Sequence, residues 1–231
     1  TPASWQTNRQ SGIWFDEGVI NSQILASQFI NVPTAIFNEV SSSNMIASNV
    51  VQGAGTGILV AGSDRTQVWN NTISHALTSI RVYEDTRSNG CNSRSADGTC
   101  AVTENWSKGK GLSWDTVDTT IYNNILSSRK MQGTDGYRAI PVRTEGYDDP
   151  DGGRIYSNDM FRGMDYNAYY RSDLAREPYL MNWDLADVPG ANNLRFMRAS
   201  DIAAQARVNK KIHGLERHAL DLFGSTAENP Y

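Results

Sequence analysis

Asp16, Glu39, Arg81, Tyr83 and Arg143 have the types needed for acid–base, nucleophilic or anion-binding chemistry. A pair of carboxyl groups can divide the roles of general acid and of nucleophile or base in glycoside hydrolysis. Arginine forks can hold a carboxylate or sulfate in two parallel hydrogen bonds. A phenol can pass a proton. Trp14, Phe37, Asp85, Trp106 and Glu145 lie near these residues or in the insertion beside them, and are the substrate-binding candidates. The stretch SIRVYEDTR (79–87) crowds arginines, a tyrosine and acids around Ile80 and Val82, which still alternate like a strand.

That alternation belongs to a repeat. The segments GIWFDEG, AIFNEVS, GILVAGS and SIRVYED start 23, 22 and 22 residues apart. Each is followed by a second short apolar segment: SQILASQFIN, NMIASNVVQ, TQVWNNTIS and, after an insertion, TTIYNNILS. AIPVRTE (139–145) reads as a further first segment and GRIYSND (153–159) as a further second one. Two short strands per repeat of about 22 residues, joined by Gly, Ser, Asn and Asp, fit coils of an all-β parallel β-helix solenoid. Asn49, Asn71, Asn124 and Asn158 recur at matching turns, where stacked amides can form a hydrogen-bonded ladder.

Side-chain alternation assigns the faces. Ile13, Ile36, Ile58, Ile80 and Ile140 align inward, as do Phe15, Asn38, Val60, Val82 and Val142. The outward columns then read Trp14, Phe37, Leu59, Arg81, Pro141 and Asp16, Glu39, Ala61, Tyr83, Arg143, with Asp85 and Glu145 just past them. Stacked strands lie about 4.8 Å apart, so Asp16 and Glu39 on adjacent coils would stand roughly 5–7 Å apart. That range covers retaining and inverting carboxyl pairs and also suits a shared hard cation. The opposing expectation is a solvated ladder of cross-paired charges.

The motifs GIWFD, VWNNT, RVYEDTR and DYNAYYR are similar to those of secreted right-handed parallel β-helix repeat proteins, a pectate-lyase-like group common in bacteria. The resemblance spans about Gly12 to Arg171 and implies a right-handed coil, secretion and action on carbohydrate. It also implies that arginine and tyrosine are usable bases. The group includes lyases, hydrolases, epimerases and tailspikes, so the reaction is left open.

The remaining sequence fills in around the repeat. The expected organisation is one domain over 1–231, with regular coils at 12–85, a loop insertion at 86–115, further coils at 116–172 and an irregular tail at 173–231. The tail carries a short helix within 195–207, for which Ser200 is the candidate N-cap. Cys91 and Cys100 are predicted to close a surface loop by a disulfide, which favours an oxidising compartment. The insertion would stand beside the charged strand and wall a groove. Trp106 is then either a subsite residue or packs back on the coil. Asp148, Asp149 and Asp151 could bind Ca²⁺ or simply stabilise a turn, and no other cofactor is indicated. His75, His213 and His218 read as structural or surface residues. Neither end shows a cap, so other chains or further sequence are expected to complete the solenoid.

A net charge of −4 leaves no basic stripe for nucleic acid, and no apolar run reaches membrane-spanning length. Two function classes follow. One is an extracellular polysaccharide-active enzyme, working by hydrolysis through Asp16 and Glu39 or by elimination through Arg81, Tyr83 and Arg143. The other is a non-catalytic glycan-binding or structural module of a surface assembly.

Overall fold

The computed structural model describes residues 10–88, 90–129, 139–148, 154–171, 174, 177–185, 193–205 and 215–223. About half of the structure is strand, arranged in three large sheets that are parallel apart from one terminal strand and in two small antiparallel two-stranded sheets. The first sheet holds β1 (Ser11–Phe15), β4 (Thr34–Glu39), β7 (Thr56–Ala61), β10 (Thr78–Tyr83), β15 (Ile140–Glu145), β20 (Met181–Asp184) and β21 (Asn193–Phe196), in that order. The second holds β2 (Gln23–Leu25), β5 (Met45–Ala47), β8 (Gln67–Trp69), β13 (Thr119–Tyr122) and β18 (Phe161–Asp165). The third holds β3 (Gln28–Ile30), β6 (Val50–Gln52), β9 (Thr72–Ala76), β14 (Ile125–Ser128), β19 (Ala168–Arg171) and β22 (Leu220–Phe223). Through the regular part, the chain visits each sheet once per repeat and lays each new strand beside the one from the previous circuit.

Each repeat thus contributes three strands where two were expected. The second apolar segment is broken by one residue in the left-handed conformation: Ala26, Ser48, Asn70, Asn123 or Tyr166, with φ of 49, 58, 55, 56 and 59°. Hydropathy does not reveal this bend, because apolar residues continue on both sides of it. The bend is held by the asparagine ladder. Asn49 donates from its backbone and its side-chain amide to Asn71 Oδ1, both at 3.0 Å. Asn71 does the same to Asn124, and Asn124 to Asn167. The fourth rung is therefore Asn167 and not Asn158. Asn158 lies in α2 (Ser157–Met160) and accepts the Trp183 indole N–H at 2.8 Å. GRIYSND is accordingly not a coil segment: Arg154–Ile155 forms β17, antiparallel to β16 (Tyr147–Asp148).

Ile36, Ile58 and Ile80 are paired strand to strand and fully buried, and Ile13 joins the column half-buried. They pack with Ile24, Ile46, Val68, Ile73, Ile121 and Leu126 in one core. Burying each such side chain contributes about 1.5–3 kcal/mol. The column continues to Val142 and not Ile140, which pairs with Thr78. Arg143 consequently sits beside Arg81, and Glu145 beside Tyr83. Pro141 drops out of the outward column that was expected to hold it. A slip of two residues preserves which side chains face in, so alternation alone cannot detect it.

The insertion forms a hairpin of β11 (Cys91–Arg94) and β12 (Cys100–Thr103), closed by the Cys91–Cys100 disulfide and followed by α1 (Asn105–Gly109). Further strands follow the aromatic strand β19. β20 and β22 extend two of the sheets from within the expected tail, and β21 pairs antiparallel with β20. α3 (Ala199–Ala204) is the expected short helix, but Ser200 lies in its first turn and Arg198 is at the N-cap. Among the described residues no helix is long and apolar enough to cross a membrane.

Candidate functional site

The site is built on the outward face of the first sheet, where the strand register lines up side chains from successive circuits. Trp14 and Phe37 are directly paired, and their rings stack with centroids 5.5 Å apart at 13°. Trp14 is 51% exposed, so the stack offers an open aromatic surface. Its indole N–H donates to Glu39 Oε2 at 2.9 Å. The other oxygen of Glu39 accepts Arg87 Nη2 at 2.6 Å.

Arg87 reaches Glu39 from two circuits away. The partner of Glu39 on the next strand is Ala61, whose methyl group leaves room for the long side chain to cross. Asp85 fixes the guanidinium, accepting Nε at 3.0 and 3.1 Å and Nη2 at 2.6 Å. It also accepts the Arg87 backbone N–H at 2.8 Å, closing a local turn. Burial pushes the Glu39 carboxyl up from its ordinary value. Arg87 and the Trp14 N–H pull it down, and Asp16 adds to the rise, with a net upward result. Asp16 itself is exposed, one residue beyond the end of β1.

A second cluster adjoins the first. The Arg81 guanidinium lies over the Tyr83 ring, 4.7 Å from its centroid. Arg81 Nε donates to Glu145 Oε2 at 2.8 Å, and Arg143 pairs with Glu145 Oε1. One carboxylate thus holds two neighbouring guanidiniums. Burial, with Asp85 and Glu39 nearby, pushes the Tyr83 phenol up. On the next circuit, burial and the charge of Glu145 push Asp184 up, while its Oδ2 accepts the Gly146 N–H at 2.8 Å.

The insertion is tied to the edge of this face. Glu84 is buried and accepts Asp85 N at 2.9 Å and Thr116 N at 2.6 Å. Thr116 Oγ1 donates to Tyr83 O and accepts Gly62 N. Burial pushes the Glu84 carboxyl up to about 8. From this anchor the insertion follows the turns of earlier circuits. Trp114 is buried against Val40 and Leu112, and Asn92 Nδ2 donates to Glu17 at 3.4 Å. Trp106 covers Gly18, where a Cβ would come within 2.5 Å of its ring. Its N–H is held by Glu104 Oε2 at 2.9 Å.

Of the sequence candidates, the structure brings Trp14, Phe37, Glu39 and Asp85 into one connected cluster, with Asp16 at its edge. Arg81, Tyr83, Arg143 and Glu145 form the adjoining one. Trp106 packs back on the coil instead of joining either. Asp148 is committed to Arg154 and Tyr156 on an exposed hairpin, while Asp149 and Asp151 lie outside the described residues. Among the described residues no group of three or more His, Cys, Asp or Glu side chains is placed to hold a metal ion. His218 pairs with Asp165 on another wall, and His213 is outside the described residues. Arg87 and Glu84 were missed as site residues. Asp85 and Arg87 form a readable Asp-x-Arg turn, but the reach to Glu39 depends on register. Comparison with family models, with curated proteins and with solved structures gives no match.

Proposed function

We propose that the chain is a right-handed parallel β-helix that is secreted and hydrolyses an extracellular polysaccharide on the outward face of its first sheet. The observation that carries the reading is Glu39: a partly buried carboxyl with a raised pKa, oriented by Arg87, beside an open Trp14–Phe37 platform and next to Asp16. A pyranose stacks its C–H face on the aromatic pair. Glu39 donates its proton to the glycosidic oxygen as the bond to the anomeric carbon breaks. Asp16, about one strand spacing away, either attacks that carbon or takes a proton from the water that does. The products are an alcohol and a new reducing end. Trp14 and Phe37 bind substrate, and Arg87, held by Asp85, positions the acid.

Elimination fits less well. Tyr83 is shifted upward, away from the phenolate that a base would need, and Arg81 and Arg143 are both engaged by Glu145. Glycan binding without turnover is favoured by one observation: both Glu39 oxygens already accept hydrogen bonds within the protein. A polysaccharide panel separates the three. New reducing ends without ultraviolet absorbance indicate hydrolysis, absorbance from an unsaturated uronate indicates elimination, and retention with neither indicates a binding module.

A further inference from the structure

The second sheet faces a different wall of the molecule, and its outward residues take no part in the site above. The register sets Trp69 beside Tyr122, and Tyr122 beside Asp165. The Trp69 indole N–H donates to Thr120 Oγ1 on the neighbouring strand at 3.0 Å, which fixes the ring across that strand. The Tyr122 phenol lies over Gly163, where a Cβ would come within 1.9 Å of its oxygen. The absence of a side chain at Gly163 is what lets that ring lean onto the next circuit. Trp69 and Tyr122 meet edge to face at 6.5 Å and 63°. Beyond them the exposed Tyr166 ring stacks on His218 at 4.6 Å and 7°. Asp165 holds that imidazole by its Nδ1 at 2.8 Å.

We propose that this wall carries a second glycan-binding strip, formed by Trp69 and Tyr122 and ended by the Tyr166–His218 pair. It rests on the polysaccharide reading of the first sheet and adds a separate contact to it. Trp69, Tyr122 and His218 are each held by a polar neighbour or by a missing side chain, so these rings lose little side-chain freedom on binding. The column alongside reads Gln23, Met45, Gln67, Thr120, so amide and hydroxyl groups flank the rings on one side. The Tyr122 hydroxyl has no hydrogen-bond partner among the described residues and is pushed up by burial and by Asp165, so it keeps its proton. A row of aromatic faces bordered by amides and hydroxyls suits a ligand with apolar faces and hydroxyl edges, which is a pyranose chain. Two strips on different walls strengthen binding to a long polymer through effective concentration, and do so far less for a short oligosaccharide.

The test is affinity electrophoresis of the intact chain through gels containing each polysaccharide. It compares the parent, Trp69→Ala/Tyr122→Ala, His218→Ala and Trp14→Ala/Phe37→Ala, with circular dichroism melts as the fold control. The proposal expects folded Trp69→Ala/Tyr122→Ala protein to lose about tenfold or more in affinity for long polymer, with a smaller loss for His218→Ala. Unchanged retention of both, alongside a loss for Trp14→Ala/Phe37→Ala, overturns the strip and leaves the first site standing. No retention of the parent by any polysaccharide overturns both readings. Loss of a parent dimer in sedimentation by Trp69→Ala/Tyr122→Ala would assign the strip to protein contact and overturn the proposal.

Discussion

Glu39 is held on one side by an exposed aromatic and on the other by an arginine from two circuits away. The Glu39, Asp85 and Arg87 side chains are only 11–22% exposed, and for charges withdrawn from water this far desolvation offsets much of their attraction, so stability gives little reason to gather them. Glu39→Gln should therefore leave the melting temperature near that of the parent and lower turnover by about 10²–10⁴, the usual contribution of a general acid. A variant that melts early yet keeps full activity would make the cluster structural. The protonated acid is the active form, so activity falls as pH rises through the folded pKa of Glu39. Arg87 lowers that pKa. Arg87→Ala should then move the alkaline limb of the pH–rate profile to higher pH, and a shift to lower pH would contradict the assigned role. Much of this cluster could be read from residue order, because alternation alone puts Trp14, Phe37 and Glu39 on one face. Arg87 could not, since nothing local to Thr86 or Ser88 indicates a contact with Glu39.

At the scale of elements, the asparagine ladder and the strand register organise the repeats. The ladder ends on Glu216, whose Oε1 accepts Asn167 Nδ2 at 2.9 Å and the Tyr169 hydroxyl. Its other oxygen is buried with no partner, and burial pushes the carboxyl from an ordinary 4.5 up to about 8. A raised folded pKa means that its stabilising effect is full below the unfolded value and is lost as pH rises through the folded one. Between those two values stability should fall by up to about 1.4 kcal/mol per pH unit from this group. Glu216→Gln keeps the acceptor oxygen and cannot ionise. Its melting temperature should match the parent near the lower end of the window and exceed it near the upper end. Parallel pH profiles for the two would contradict this. Asn71→Ala should destabilise by about 1–3 kcal/mol for each buried group that loses its Asn71 partner, namely Ile46 O and the Asn49 backbone N–H, while Asn49 Nδ2 keeps its bond to Ile24 O. The repeat was legible because its period is written in apolar residues. The bend at Ala26 and its counterparts was not, since it depends on backbone conformation between two apolar runs. The two-residue slip at Val142 escaped for a related reason: in and out faces survive it unchanged.

For the molecule as a whole, core and face are separable. Among the described residues the strands β11 and β12 pair with each other and are closed by their own disulfide, with the Asn92–Glu17 hydrogen bond as a contact to an earlier repeat, so the order of the hairpin is largely local. The bridge should stabilise the hairpin by about 2–3 kcal/mol through loop entropy. Cys91→Ala/Cys100→Ala should leave the main cooperative melt within about 1 kcal/mol of the parent while speeding amide exchange across the hairpin. Collapse of the main transition would mean that the insertion is part of the core. Class, parallel pairing, the disulfide and most of the first-sheet face were readable from sequence. The continuation of the sheets through β20 and β22 was not, because their segments no longer keep the spacing of the first four repeats.

The most direct measurement of the central claim is reducing-end release by parent and Glu39→Gln protein on a polysaccharide that the parent retains in affinity gels. Hydrolysis at the Asp16–Glu39 pair predicts reducing ends from the parent, loss of about 10²-fold or more in the variant with binding retained, and no unsaturated product. Equal release by the two folded proteins would contradict it.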